Sequence, residues 1–215
     1  MQLYGRRSSI NVQKVLWCLA ELGLNEGRDY QRIDAGLEFG VNDTPDYLAI
    51  NPNGLVPTLI DGERAIWESN SILRYLAVAR GANGLFPADA DALARSEVDR
   101  WMDWQAGTLW ATLRVTFLGL TRTPEPQRNY DAIHASFRES ARLLRILDTH
   151  LQDRQFIALE RFTLADIVVA LAAHRWYLLA ERFGQILAAE PAMPEALRWL
   201  TAMRTRAGFE VAVGA

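Results

Sequence analysis

The chain has 215 residues, half of them hydrophobic, and a formal net charge of −3; a chain of this length buries roughly 70% of its unfolded surface, enough for one or two domains without covalent staples. Its only cysteine, Cys18, excludes an internal disulfide and a Cys-x-x-Cys redox pair. The negative balance argues against general affinity for nucleic acid or an anionic membrane, and with neither a secretory leader nor a long apolar span the expected location is the cytoplasm.

Gln2 to Tyr4 reads as a short strand, and from Asn11 the residues Val12, Val15, Leu16, Leu19 and Leu22 recur at helical spacing until Gly23 ends the pattern. Asp29 to Ile33 reads as a second strand. After an irregular stretch, Thr58 to Ile60 and Ala65 to Trp67 flank Asp61-Gly62, a hairpin turn signal. Ser69 is then expected to cap a helix running through Ile72, Leu73, Tyr75 and Leu76 to Gly81. This order predicts that strands one and two pair in parallel through a right-handed crossover, with the hairpin as antiparallel partner. A thioredoxin-like βαβ-ββα layer over residues 1–81 is the result.

Residues 82–89, Ala82 to Asp89, form a turn-rich linker in which Leu85 and Phe86 are the anchoring side chains. No strand pattern survives over 90–215. Helical runs from about Asp91 to Leu120, Asn129 to Leu151 and Ala165 to Leu179, with Thr123-Pro124-Glu125-Pro126 breaking the first from the second, predict an all-α bundle. The fold class is therefore α+β, with an N-terminal mixed layer and a C-terminal helical domain.

The stretch from Asn51 through Asn53, Gly54, Val56 and Pro57 to Thr58, followed by Glu68-Ser69, reads as a ligand site. Val56-Pro57 opens an extended run as a rigid turn; a cis proline there leaves the Val56 N–H and C=O to pair with an outside peptide. Glu68 and Ser69 add a carboxylate, a hydroxyl and unpaired helix-start N–H groups, which together suit a small zwitterionic peptide. Ser8, Ser9 and Asn11 stand where the first strand turns into the first helix, so donors and a positive helix end converge there. A thiol at that point ionises more readily: lowering its pKa by about 2 units takes roughly 2.7 kcal/mol, and one hydrogen bond to a charged acceptor supplies about 1.5–3. The plain structural reading makes Ser9 or Asn11 a helix cap, and Glu68-Ser69 a strand-to-helix cap.

Thr163 and Asp166, with Phe162 and Ile167 around them, form a capping box with a hydrophobic staple, a folding element worth about 1 kcal/mol per capping residue. Trp101, Trp104, Thr108 and Trp110 share one helical run, with Trp101 and Trp104 at i, i+3 spacing; they serve core or dimer packing, or line an apolar pocket for an electrophile. His134, His150 and His174 are too widely spaced for a metal motif, so no metal is expected. Cys18 reads as an inert buried thiol, and Lys14, the only lysine, as a bias of composition.

Pro57 after an apolar residue, the Glu68-Ser69 pair and the opening Leu3-Tyr4-Gly5 resemble the glutathione-binding half of the soluble glutathione transferases. Phe162-Thr163-Leu164-Ala165-Asp166 resembles the capping box in the helical half of that family. The start Leu-Tyr-Gly-x-x-x-Ser-x-Asn before Lys14-Val15-Leu16 looks closest to the bacterial theta-like and nu-like groups. The resemblance implies a homodimer that takes glutathione as co-substrate and conjugates it to, or uses it to dehalogenate, a small electrophile. It implies Ser9 as the thiol-activating serine of theta-like enzymes, with Asn11 in the place of the asparagine used by nu-like ones. Glu68 faces the γ-glutamyl amino group, the Ser69 N–H its carboxylate, Val56 and Pro57 the peptide backbone, and Asn53 the glycyl end. The family often places a histidine or lysine near Gly54, which this chain does not, and Arg6 and Arg7 are candidates to compensate. Trp101, Trp104 and Thr108 stand on the electrophile side. Between the two activators Ser9 is expected to act on sulfur while Asn11 caps the helix. The rival readings are a glutathione-dependent disulfide reductase resting on Asn11, and a non-catalytic binding module.

Overall fold

A computed structural model describes residues 1–88 and 91–214. Asp89 and Ala90, which end the expected linker and begin the expected second domain, lie outside the described residues. The chain forms two compact units, one of Met1–Ala92 with Arg204–Ala215 and one of Leu93–Met203.

The first unit is built on a four-stranded sheet of order β2-β1-β3-β4, with β1 Gln2–Tyr4, β2 Gln31–Ile33, β3 Thr58–Asp61 and β4 Arg64–Trp67. Its centre is Leu3, paired in parallel with Arg32 and antiparallel with Leu59. Both Leu3 and Leu59 are fully buried. The second strand is two residues shorter than expected at its start, because the Asp29 carboxylate instead accepts the Asn25 N–H at 2.8 Å and closes a turn. The hairpin turn moves by one residue to Gly62-Glu63, since Asp61 pairs with Arg64.

Helix α1, Ile10–Glu21, packs on α3, Ser69–Ala79. Gly5 lets the end of β1 approach α1: a Cβ there would lie 2.4 Å from Val12 Cγ2. Within the irregular stretch sit a single 3-10 turn, Leu37–Phe39, and a short helix, α2, Pro45–Ile50, whose cap Thr44 accepts the Tyr47 N–H. The C-terminal helix α9, Ala207–Val213, which the helical periodicity did not separate from the second domain, covers the other side of α1. Trp17 meets Phe209 edge to face at 5.2 Å, and Arg206 closes on the Glu21 carboxylate at 2.7 and 2.8 Å. Gly208 is required for that approach, because a Cβ would fall 2.4 Å from Trp17 Cδ1. Covered on both faces, α1 buries Cys18 fully, and burial drives its thiol far above the ordinary range. The sulfur is inert.

The second unit is helical: α4 Ala92–Trp104, α5 Ala111–Thr121, α6 Tyr130–His150, α7 Leu164–Arg182 and α8 Pro194–Arg204. The expected single run from Asp91 to Leu120 is interrupted by a π-helical segment, Gln105–Trp110. Helices α5 and α6 are joined by Thr116 and Ser136, whose hydroxyls lie 2.8 Å apart and bond to Ile133 and Thr112 carbonyls. Among the described residues no helix is long and apolar enough to cross a membrane.

The capping pair at α7 does more than close a helix. Asp166 is fully buried and its carboxylate accepts from the Thr163 N–H at 2.9 Å, Thr163 Oγ1 at 3.1 Å, the Ile157 N–H at 3.0 Å and Trp199 Nε1 at 3.1 Å. Burial lifts this carboxyl to about 6 while the donors hold it below neutrality, so it stays ionised at pH 7. It therefore joins a loop, the start of α7 and α8. Asp166→Ala leaves buried donors unpaired and should cost about 2–4 kcal/mol, well above the cost of a lost cap, while Thr163→Ala should cost about 1. Urea melts check this, and equal, small losses for both variants would contradict the hub.

Candidate functional site

A short cleft in the first unit is lined by Asn11, Asn51, Asn53, Leu55, Val56, Pro57, Trp67, Glu68 and Ser69. It rests on a hydrogen-bonded scaffold of which the sequence reading named Asn51 and Thr58 but neither Tyr47 nor Asn42. Tyr47, delivered by α2, donates its hydroxyl to the Leu55 carbonyl at 2.7 Å and lies 2.8 Å from Thr58 Oγ1. Asn51 is buried; its amide reaches the same carbonyl at 2.8 Å and the same hydroxyl at 2.9 Å, and its carbonyl oxygen accepts two N–H groups of Asn53. Asn42 holds the Gly54 carbonyl at 2.6 Å. These bonds fix the turn without using Val56, whose N–H and C=O have no hydrogen-bond partner among the described residues. The Val56-Pro57 peptide bond is cis, as the expectation for a backbone edge required.

Glu68 and Ser69 stand at the end of β4. The expected cap is shifted by one residue: Glu68, with its carbonyl accepting from the Ile72 N–H at 2.9 Å, is the cap, and Ser69 is the first helical residue. Glu68 has φ 67° and ψ 113°, a left-handed conformation that a non-glycine residue holds only under constraint from its surroundings. The Glu68 side chain is exposed and Ser69 is buried. No side chain caps α3, and Ser69 at its start lines the cleft with the positive end of the helix behind it.

The start of α1 meets the same place. Ser9 is the cap residue of α1 by backbone, yet its hydroxyl makes no capping hydrogen bond. Asn11 is not a cap: it is the second helical residue, and its Oδ1 accepts from Ser69 Oγ at 3.3 Å. The carboxamide is held across to α3 rather than folded onto its own helix. Asn11 lines the cleft, whereas Ser9, half-buried at the helix start, stands outside its lining.

One expected contributor is elsewhere. Arg7 is taken up by Glu26 and by the Val211 carbonyl at 3.2 Å. Asn53 lines the cleft, with its backbone N–H and one side-chain N–H held by Asn51 Oδ1. Within the helical unit, Trp101 is buried between Trp104, edge to face at 5.2 Å, and His150 at 4.7 Å. Trp104 is half-buried, and Thr108 lies exposed on the π-helical segment. His150 is used structurally, 2.7 Å from the Ile157 carbonyl. Among the described residues no cluster of His, Cys, Asp or Glu is arranged to hold a metal ion.

Residues 1–78 match the family model for the glutathione S-transferase N-terminal domain, and residues 109–207 match that for the C-terminal domain. Glutathione S-transferase GstB of Escherichia coli is 44% identical over 170 residues, covering 78% of this chain and 79% of that protein. Glutathione S-transferase 3 of Zea mays is 31% identical, covering 100% and 94%. A theta class glutathione S-transferase from Xanthomonas axonopodis pv. citri, solved with glutathione bound, superposes with a TM-score of 0.86 at 37% identity, covering 100% of this chain and 97% of that one. With both family models matched in chain order and a relative of 44% identity covering more than two thirds of each chain, the chain belongs to the glutathione S-transferase family.

Proposed function

We propose that the cleft binds glutathione with its γ-glutamyl end at Glu68 and Ser69 and its backbone along Val56, and that the Ser9 hydroxyl stabilises the thiolate. The chain is a glutathione transferase; which residues carry each step is inferred from the geometry. The observation that carries the reading is that two helix N-termini and one unsatisfied backbone edge converge, with a carboxylate at their rim. A tripeptide with an ammonium, carboxylates and two amides matches each of these in turn. Glu68 takes the ammonium, the Ser69 N–H takes the neighbouring carboxylate, and Val56 pairs with the cysteinyl amide. Asn53 stands toward the glycyl side, where the second N–H of its side-chain amide is the donor for a carboxylate.

The chemistry follows from the thiol. With its hydroxyl uncommitted at the helix end, Ser9 donates to sulfur and favours loss of the proton to solvent. The thiolate then forms a carbon–sulfur bond to the electrophile, and a halide departs with its electron pair or a carbanionic centre takes a proton from water. In the helical unit Trp104 and Thr108 are the accessible members of the set proposed for the electrophile, with buried Trp101 supporting Trp104. One observation favours the second reading, a disulfide reductase resting on Asn11: Asn11 lines the cleft and Ser9 does not. This family reading also expects a homodimer in the cytoplasm.

Glu68→Ala should weaken glutathione by about 2 kcal/mol, roughly 30-fold in Kd, as a charge-assisted hydrogen bond is lost. Calorimetry that finds the affinity unchanged would reject the placement. Ser9→Ala should raise the pKa of bound thiol, followed by ultraviolet titration of the thiolate, and slow conjugation roughly 10- to 100-fold. Asn11→Ala should instead weaken binding, since it releases Ser69. Should Asn11→Ala abolish the thiolate while Ser9→Ala keeps it, the reductase reading takes precedence. Light scattering at micromolar concentration should give twice the chain mass of 24.2 kDa, and a single-chain mass would remove the dimer.

A further inference from the structure

Lys14, the only lysine of the chain, is 2% exposed on the face of α1 that packs against α3. An ammonium carries three donors, and the partner it finds is Asn70 Oδ1 at 3.4 Å, the second residue of α3. It therefore lies directly behind the Glu68-Ser69-Asn70 turn. Burying an ammonium with so little compensation is costly, and a methionine would fill the same space without that cost. Packing alone does not account for a charge here.

The surroundings single out one counter-charge. Burial lowers the Lys14 ammonium to about 7, and Glu68 is the charged group that opposes the shift. The other charges near α1 are engaged elsewhere or do not act on it. Glu21 of α1 is closed by Arg206 and Trp17 ahead of α9, Arg74 of α3 has other partners, and Glu210 of α9 does not act on it. In the sheet Arg32 pairs with Asp34 and Glu26, and Asp61 accepts from Tyr75 at 2.8 Å.

We propose that Lys14 is a positioning residue for the glutathione site: from behind α3 its ammonium holds the Asn70 side chain, draws the Glu68 carboxylate into place, and adds positive potential behind the N–H groups that receive the ligand carboxylate. The inference rests on the glutathione reading of the cleft. Its consequence is a proton linkage. A ligand carboxylate seated at Ser69 favours charged Lys14, so binding near neutral pH takes up a proton, and affinity falls as rising pH empties Lys14.

S-methylglutathione, which has no thiol to titrate, is the probe. Calorimetry on the wild-type protein in two buffers of different ionisation enthalpy should show proton uptake near pH 7, and affinity should fall roughly 5- to 10-fold between about pH 6 and about pH 8. Lys14→Met should bind roughly 10-fold more weakly at about pH 6 and lose the pH dependence. In turnover it should raise KM for glutathione far more than it lowers kcat. No proton uptake by the wild-type protein, or a Lys14→Met variant with the wild-type affinity and pH profile, overturns the proposal while leaving the cleft assignment standing. Wild-type protein that fails to bind S-methylglutathione and glutathione alike overturns the cleft assignment and the proposal with it. The wild-type measurement decides the matter even where the variant does not fold.

Discussion

The hydrogen bond from Ser69 Oγ to Asn11 Oδ1 joins residues 58 apart in the chain and, with them, the N-terminal ends of two helices. Each end alone is an ordinary feature. Brought together they concentrate positive potential, beside which the Glu68 carboxylate and the Val56 backbone complete a set of complementary groups. The sheet order makes this meeting unavoidable. With β1 central between β2 and β3, the segment leaving β1 into α1 and the segment leaving β4 into α3 emerge at one end of the sheet. Leu3, paired on both sides and fully buried, fixes that register.

Rigidity on the remaining side comes from side chains bonded to one another. Tyr47, Asn51 and Thr58 form a closed set of bonds around the Leu55 carbonyl, so the turn before Pro57 is held by its own polar network and Val56 is left for a guest. The positive φ of Glu68 fits the same logic: a residue in a sparsely populated conformation persists where the flanking strand and helix dictate it. The helical unit solves a parallel problem with Asp166, a buried carboxylate satisfied by four donors from three segments.

What the sequence revealed is what local chemistry encodes. Helical spacing located α1 and α3, Asp61-Gly62 marked the hairpin within one residue, and the Thr163–Asp166 pattern marked α7. Glu68-Ser69 alone reads as an ordinary strand-to-helix cap, and it is the Val56-Pro57 turn upstream that marks the two together as a candidate site. The misses are non-local. Ser69 as first helical residue rather than cap depends on the backbone of Glu68, and Asn11 as partner of Ser69 depends on a contact across the fold. The π-helical break at Gln105–Trp110 carries no proline or glycine pair to announce it, and α9 closes on α1 through Trp17, Phe209 and Gly208, whose spacing in the chain conceals their contact. Lys14 shows the limit most clearly: in sequence it is one rare residue, and in space it is a buried charge behind the site.

The central claim is that two helix starts and the Val56 edge act as one receptor for a zwitterionic tripeptide. Amide chemical shifts followed by nuclear magnetic resonance during titration with glutathione test it residue by residue. The account predicts that the largest changes fall together, at one affinity, on Ser9 to Asn11, on Val56 and on Glu68 to Asn70, with the α7 amides of Leu164–Arg182 little changed. Shifts concentrated in α7, or changes at the two helix starts with different affinities, would contradict it.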